Sequence, residues 1–385
     1  MGKRCFLASK GFPKIWGFIP TAISKNPSKP IRLDIKLNKL FYNTDYQISE
    51  EEFIRLIHLD NLDRQITETP SLVENFEKQL DLALSEAYEN PPGSEKSHLF
   101  LQRILYRINR LKLFWYDDLE NYVNENSPFL FSLRNRIETA WQDWETKYLD
   151  IEPLKKLEVN SALRGRVKED LDPEPSREAF FFRKEITETG YRRLLAITSL
   201  DGLVEASQLS RVLGGASNEV QSMLTRILLE EYGSGKLARK HSSFFAVMLE
   251  EFGMETQPEA YFDLVPWEVL ANINHSFLLC ERKRNFVRYV GSLLYTEVSV
   301  PAAFKNYRDA SRRLGLSQKG TGYWDLHIKE DQRHGRWMLR DVALPLVERY
   351  EESAWEIVWG YDRQRFLSTR AGKALVQSVR RAEIV

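Results

Sequence analysis

The stretch Tyr323-Trp-Asp-Leu-His327-Ile-Lys-Glu-Asp331-Gln-Arg-His334-Gly-Arg-Trp337 decides how this chain is read. His327, Asp331 and His334 stand at i, i+4 and i+7. On a helix that advances about 100° per residue they fall within roughly 60° of arc. Two imidazoles and a carboxylate then leave one helix face, which is half of a metal site. The chain has six histidines in all, so two in this spacing carry weight. Nitrogen and oxygen donors without a thiolate suit iron or manganese, tolerate zinc and do not suit an iron–sulfur cluster. The competing reading is a surface face laced with salt bridges.

Working outward, the periodicity is helical almost everywhere. Apolar residues recur at three- and four-residue intervals in Val73–Ala87, Leu99–Tyr116 and Ser132–Leu149. Ile31–Leu37 alternates and could form a short extended piece. Pro91-Pro92-Gly93-Ser94 and Asn126-Ser127-Pro128 punctuate the first part of the chain. Lys168-Glu-Asp-Leu-Asp-Pro-Glu-Pro-Ser176 marks a stronger boundary. It predicts an N-terminal helical region over 1–160, acting as a cap, an arm or a docking element, and a second domain over 161–385. Beyond it, helices are expected over about 177–198, 200–213, 217–232, 241–253, 265–281, 284–298, 301–314, 322–348 and 349–381.

The composition bounds the function. At 385 residues, 43% of them hydrophobic, the chain can bury a sizeable core. Basic and acidic residues balance at 55 each, so nothing global selects nucleic acid or an anionic membrane. The first forty residues are locally basic, either a solvated leader or a docking surface for an acidic partner. Cys5 and Cys280 are the only cysteines, which predicts no disulfide framework and a reducing, cytoplasmic setting. Neither a signal-peptide core nor a membrane-spanning run is present in the sequence.

One helix cannot close a coordination sphere. Glu231 and His241 are ten residues apart, with Gly233 and Gly235 between them. Those glycines can end one helix at Glu231 and redirect the chain so that His241 opens the next. Glu297 stands alone in the otherwise uncharged run from Val290 to Ala303. A core-facing carboxylate there needs a partner, either a metal ion or an arginine. Helical bundles build di-iron sites from inward Glu and His side chains on several helices.

The Glu-Tyr-Gly-x-Gly turn with its later His, the lone Glu before Val-x-Val-Pro, and the His-x3-Asp-x2-His helix resemble the haem-oxygenase-like di-iron oxidases, the iron-containing redox enzymes. The resemblance covers roughly residues 170–350. It implies an all-α, haem-oxygenase-like bundle without haem, with the N-terminal region as an addition. It also implies two iron ions held by Glu231, His241, Glu297, His327, Asp331 and His334, with Glu297 as the bridging group. Some relatives add a carboxylate from an earlier helix; Glu205 is its counterpart here, against the bland reading of an exposed helix residue. Glu330 could hydrogen-bond a ligand, and Glu230 points about 100° away from Glu231. His275 fits no motif and reads as a core or surface histidine.

The chemistry implied is dioxygen activation by a non-haem di-iron oxidoreductase on a small amine, amino-acid or fatty-acid-like substrate. N-oxygenation, desaturation and C–C cleavage are the outcomes found among relatives. An external electron donor is expected, and the N-terminal region could serve dimerisation. Arg282, Lys283, Arg284 and Arg288 form a basic cluster that would suit an anionic substrate group, or else a solvated charge run. Trp324 and Trp337 flank the metal helix as pocket walls or as core. The alternative is a metal-free protein of the same fold, a cofactor-biosynthesis enzyme or an interaction module.

Overall fold

Apolar residues at helical spacing fold into helices throughout residues 44–89, 94–113, 119–214 and 218–383, the residues described by the computed structural model. No strand occurs among them. The first half contains α1 (Thr44–Ile57), α2 (Leu62–Glu68), α3 (Ser71–Leu84), α4 (Glu95–Arg110), α5 (Pro128–Glu145) and α6 (Val159–Leu171). After the proline-rich turn come α7 (Arg177–Phe180), α8 (Glu188–Gly202), α9 (Glu219–Glu231), α10 (His241–Glu251) and α11 (Trp267–Cys280). The last are α12 (Phe286–Arg313), α13 (Gly322–Trp337), α14 (Leu344–Arg349) and α15 (Trp355–Glu383). The basic leader with Cys5, the Ile31–Leu37 stretch and the Pro91-Pro92-Gly93 break lie outside the described residues. No helix among the described residues is long and apolar enough to cross a membrane.

Local chemistry sets many of the boundaries. Ser94, Ser127, Thr187 and Asn218 each accept a backbone N–H with the side chain at a helix start, which satisfies a donor the helix cannot. Pro128 opens α5, where its missing N–H is harmless. Helices expected over 200–213 and as one piece over 322–348 differ in the structure. Residues 207–212 make only a tight 3-10 turn. The continuation of α13 widens into a π-type turn over Met338–Ala343 before α14.

A larger departure concerns Pro301. Separate helices over 284–298 and 301–314 are expected from it, yet α12 runs unbroken through the proline. Proline cannot donate to the carbonyl four residues back, and that carbonyl belongs to Glu297. Gly335 of α13 lies against it; a Cβ there would sit 3.3 Å from the Glu297 oxygen. The carbonyl to which Pro301 cannot donate therefore faces a neighbour small enough to approach it. Packing along α12 holds the helix together across the missing bond.

α12 is the central element, packed on α13 along one side and on α15 along the other. The α12–α15 crossing is close. A Cβ at Gly291 would lie 1.9 Å from the Ile357 carbonyl oxygen, and one at Gly360 would lie 2.0 Å from that of Arg288. Arg284, in the turn just before α12, and Arg288 of α12 both bind Glu356 of α15. In the first half, α1, α3 and α4 gather Tyr46, Phe53, Phe76 and Phe100 into one aromatic core. α4 then meets α11 through buried amides: Asn109 donates to Asn274, which donates to the Gln102 carbonyl. Helices on either side of residue 160 thus share packed, hydrogen-bonded contacts.

Replacing Gly291 with alanine forces α12 and α15 apart and should destabilise the fold by at least about 1–3 kcal/mol. Thermal melting should show a drop of several degrees. Gly165→Ala is the control. Nothing lies within 4 Å of its added Cβ, and alanine is the better helix former, so its melting point should hold or rise.

Candidate metal centre

The glycine bend does what its spacing predicts. α9 ends at Glu231 and α10 begins at His241. Gly233 and Gly235 take positive φ, 61° and 78°, and a Cβ on Gly233 would lie 2.4 Å from the Arg239 backbone. Only glycine fits there. The bend brings His241 Nδ1 to 2.8 Å from Glu231 Oε2.

α13 presents His327, Asp331 and His334 on one buried face. His327 Nε2 lies 3.2 Å from His241 Nδ1 and 3.5 Å from Glu205 Oε2. Its other nitrogen, Nδ1, is 2.9 Å from the Tyr323 carbonyl. A carbonyl only accepts, so Nδ1 carries the proton and Nε2 is left as the donor atom for a metal. His334 Nδ1 lies 3.4 Å from Glu231 Oε1, 3.3 Å from Glu297 Oε2 and 3.9 Å from Asp331 Oδ1.

Three groups of donor atoms among the described residues could each hold an ion, and two of them share Glu231. Glu205, Glu231, His241 and His327 form the first; Glu231, Asp331 and His334 form the second. Glu297 joins the second through its contact with His334. Glu231 is common to both. The resemblance implies Glu297 as the bridging group; here Glu231 is the carboxylate common to these two groups, and Glu297 approaches the second through His334.

Glu205 is the residue the sequence undervalued. It is not an exposed helix residue: α8 stops at Gly202, and the turn that follows, with Ala206 at φ 61°, turns the Glu205 side chain inward to 13% exposure. Tyr323 donates to its Oε2 at 2.6 Å. Gly202 stands just before the turn, but its left-handed residue is Ala206, which no sequence rule marks. Glu230 was also passed over; its Oε2 lies 2.9 Å from His334 Nε2.

The residues present fit metal ions. Asp331 Oδ1, His334 Nδ1 and Glu205 Oε1 are buried and make no hydrogen bond, although carboxylate oxygens lie within 3.4 Å of His334 Nδ1. Buried polar atoms without partners are rare, and here they converge. Four carboxylates in one buried cluster carry a charge that two divalent cations balance. The donor set is imidazole and carboxylate, which suits iron.

The field inside the cluster follows from this crowding. Burial alone would lower His327, but the Glu205 and Asp331 carboxylates outweigh it and raise its pKa to about 10. For His334, Glu231 and Glu297 overcome burial and raise it to about 11. Burial pushes Asp331 well above the ordinary carboxylate range; attraction to His327 opposes this, and repulsion from Glu297 and Glu231 adds to it. Glu231 is held below that range despite burial, by the nearby imidazoles of His241 and His334.

Other expected features resolve differently. Arg282 binds Glu138 and Asn135, and Arg284 and Arg288 bind Glu356. These guanidiniums tie helices together instead of offering an anion anchor. Trp324 is core: its Nε1 donates to Tyr191 and its ring packs on Phe304 and Tyr307. Trp337 stacks beside the His334 ring. His275 is a core histidine paired with Gln364.

With metal stripped by a chelator, the raised histidines predict a pH dependence. Unfolded histidine titrates near ~6.5, so the folded protein binds more protons than the unfolded chain above that pH. Their stabilisation is complete below ~6.5 and is lost as pH climbs toward the folded values. The melting temperature of the stripped protein should fall steadily from pH 7 to pH 10. A melting temperature that rises over that range contradicts the assignment of these shifts.

Comparison with known proteins agrees with the site. Residues 192–366 match the family described as iron-containing redox enzyme. The chain is also similar to the nitrosourea synthase of Streptomyces achromogenes subsp. streptozoticus, 28% identical over 296 residues. That match covers 73% of this chain and 63% of the relative, so the chain spans less than two thirds of that protein's length. The matched stretch, residues 192–366, holds every member of the cluster from Glu205 to His334.

Proposed function

We propose that this protein is a two-iron, dioxygen-dependent oxidoreductase that N-oxygenates a small amine or amino-acid substrate. The observation that carries the reading is the position of Glu231, the side chain that links the Glu205, His241 and His327 group to the Asp331 and His334 group. A shared carboxylate holds two ions side by side. In the proposed arrangement Glu205, His241 and His327 complete the first position, and Glu297, Asp331 and His334 complete the second. Two Fe(II) ions held by these residues would supply the two electrons that oxygenation of nitrogen by dioxygen requires.

The chain's own residues do the rest. Tyr323 fixes Glu205 through its hydroxyl and His327 through its carbonyl, so one residue orients two donors from one side. Phe304 and Tyr323 pack their rings against His327, at centroid distances of 5.4 and 4.3 Å. With Phe245 against Tyr323, they keep water from that side, which strengthens the electrostatic contacts inside. Turnover then depends on an external electron donor.

Among the outcomes known for relatives of this kind, N-oxygenation is favoured over desaturation and C–C cleavage because the similar nitrosourea synthase is named for a product with oxidised nitrogen. The 28% identity leaves the substrate to be found by trial of small amines, guanidines and amino acids.

Anaerobic titration with Fe(II) should load two ions per chain. His327→Ala and Asp331→Ala should each retain one ion with high affinity, whereas Glu231→Ala should retain neither. Mixing the loaded protein with dioxygen and an amine substrate should give a single turnover of N-oxygenated product without a reductant, and repeated turnover only with one. No iron uptake by the wild-type protein sinks the reading and favours a metal-free protein of the same fold.

A further inference from the structure

We propose that Glu230 is a positioning residue for the second ion: it accepts the His334 Nε2–H bond and so fixes the tautomer and ring plane that aim Nδ1 at Glu231, Glu297 and Asp331. The proposal rests on the two-ion reading above. It gives a role to a carboxylate that is outside both donor groups around Glu231.

The geometry is specific. Glu230 and Glu231 are consecutive at the end of α9, so their side chains leave the helix about 100° apart. They nevertheless meet the same imidazole. Glu231 Oε1 is 3.4 Å from His334 Nδ1, and Glu230 Oε2 is 2.9 Å from Nε2. One glutamate faces the proposed metal side of the ring and its neighbour faces the back. A neutral imidazole carries one proton. A carboxylate behind Nε2 keeps the proton there and leaves Nδ1 as the lone-pair nitrogen.

Glu230 is itself held. Arg333 donates to the same Oε2 at 2.5 Å and also binds Glu330. Arg226 lies 3.7 Å from the other oxygen. Both arginines sit over the Trp337 ring, 4.1 and 5.0 Å from its centroid, and Trp337 stacks on His334 at 5.8 Å. The back of the imidazole is thus braced by a carboxylate, two guanidiniums and an indole. Glu230, Glu330 and His334 also approach one another as a third acidic group. The cation there is the protein's own, because Arg333 binds both carboxylates.

The two ions are therefore supported differently. Behind His327 the acceptor is a backbone carbonyl, which no substitution removes. Behind His334 it is a side-chain carboxylate, which raises the basicity of the imidazole and can be deleted. This asymmetry makes the proposal testable without any substrate.

The test is anaerobic titration with Fe(II), repeated with Co(II), whose visible bands report coordination geometry. In Glu230→Ala the first ion should bind as in wild type, and the second should bind about 10–100-fold more weakly. The Co(II) bands should change only for the second equivalent. Glu230→Gln keeps an acceptor oxygen and should recover most of the loss. A second ion bound by Glu230→Ala with wild-type affinity overturns the proposal. So does a loss of both ions together, or a glutamine variant no better than the alanine one, since either would point to a general structural defect. A wild-type protein that takes up no second ion removes the two-ion reading and this proposal with it.

Discussion

Four carboxylates and three imidazoles buried around Glu231 are the constraint that the rest of the molecule serves. Burying one uncompensated charge is very unfavourable, and crowding four of one sign is more so. The field inside the cluster shows the strain. Asp331 is pushed far above its ordinary range and both α13 histidines are held protonated. Protons offset only part of the negative charge of four carboxylates; two divalent cations would offset all of it. The fold holds an electrostatic problem whose solution is metal.

The backbone devices nearby make sense in that light. The Gly233–Gly235 bend turns the chain between Glu231 and His241 without a side chain that would strike the Arg239 backbone. Pro301 leaves the Glu297 carbonyl without a helix partner, and Gly335 lets α13 approach it. Glu297 and His334 are brought to 3.3 Å at this same crossing. On the opposite side of α12, Gly291 and Gly360 let α15 close in. Small residues on both flanks thus seat one helix deeply enough to carry a carboxylate into the core. Around the donors, Tyr323 and Glu230 supply the hydrogen bonds that leave one nitrogen of His327 and one of His334 facing the cluster.

Much of this was legible in the sequence, because local rules govern it. The His327–Asp331–His334 spacing, the helix stop at Glu231 and the start at His241 depend on helical period and glycine conformation alone. What escaped depends on packing. Pro301 reads as a break, but tertiary contacts carry α12 through it. Glu205 reads as an exposed helix residue, since nothing in Leu203–Ala206 signals the turn that swings it inward. Glu297 stands alone in an apolar run, which says that it needs a partner but not whether that partner is shared. Which carboxylate lies between two ions depends on how three helices cross, and one-dimensional spacing does not contain that. The Arg282–Arg288 cluster looked like an anion anchor only because its partners, Glu138 and Glu356, are distant in sequence.

The account reduces to a claim about place: two ions, with Glu231 between them. Crystals grown anaerobically with Fe(II) and measured at the iron absorption edge test it directly. The expected anomalous map has two peaks about 3.5–4 Å apart, one among Glu205, Glu231, His241 and His327, the other among Glu231, Glu297, Asp331 and His334. A single peak, or a pair bridged by Glu297 with Glu231 on one ion only, would contradict it.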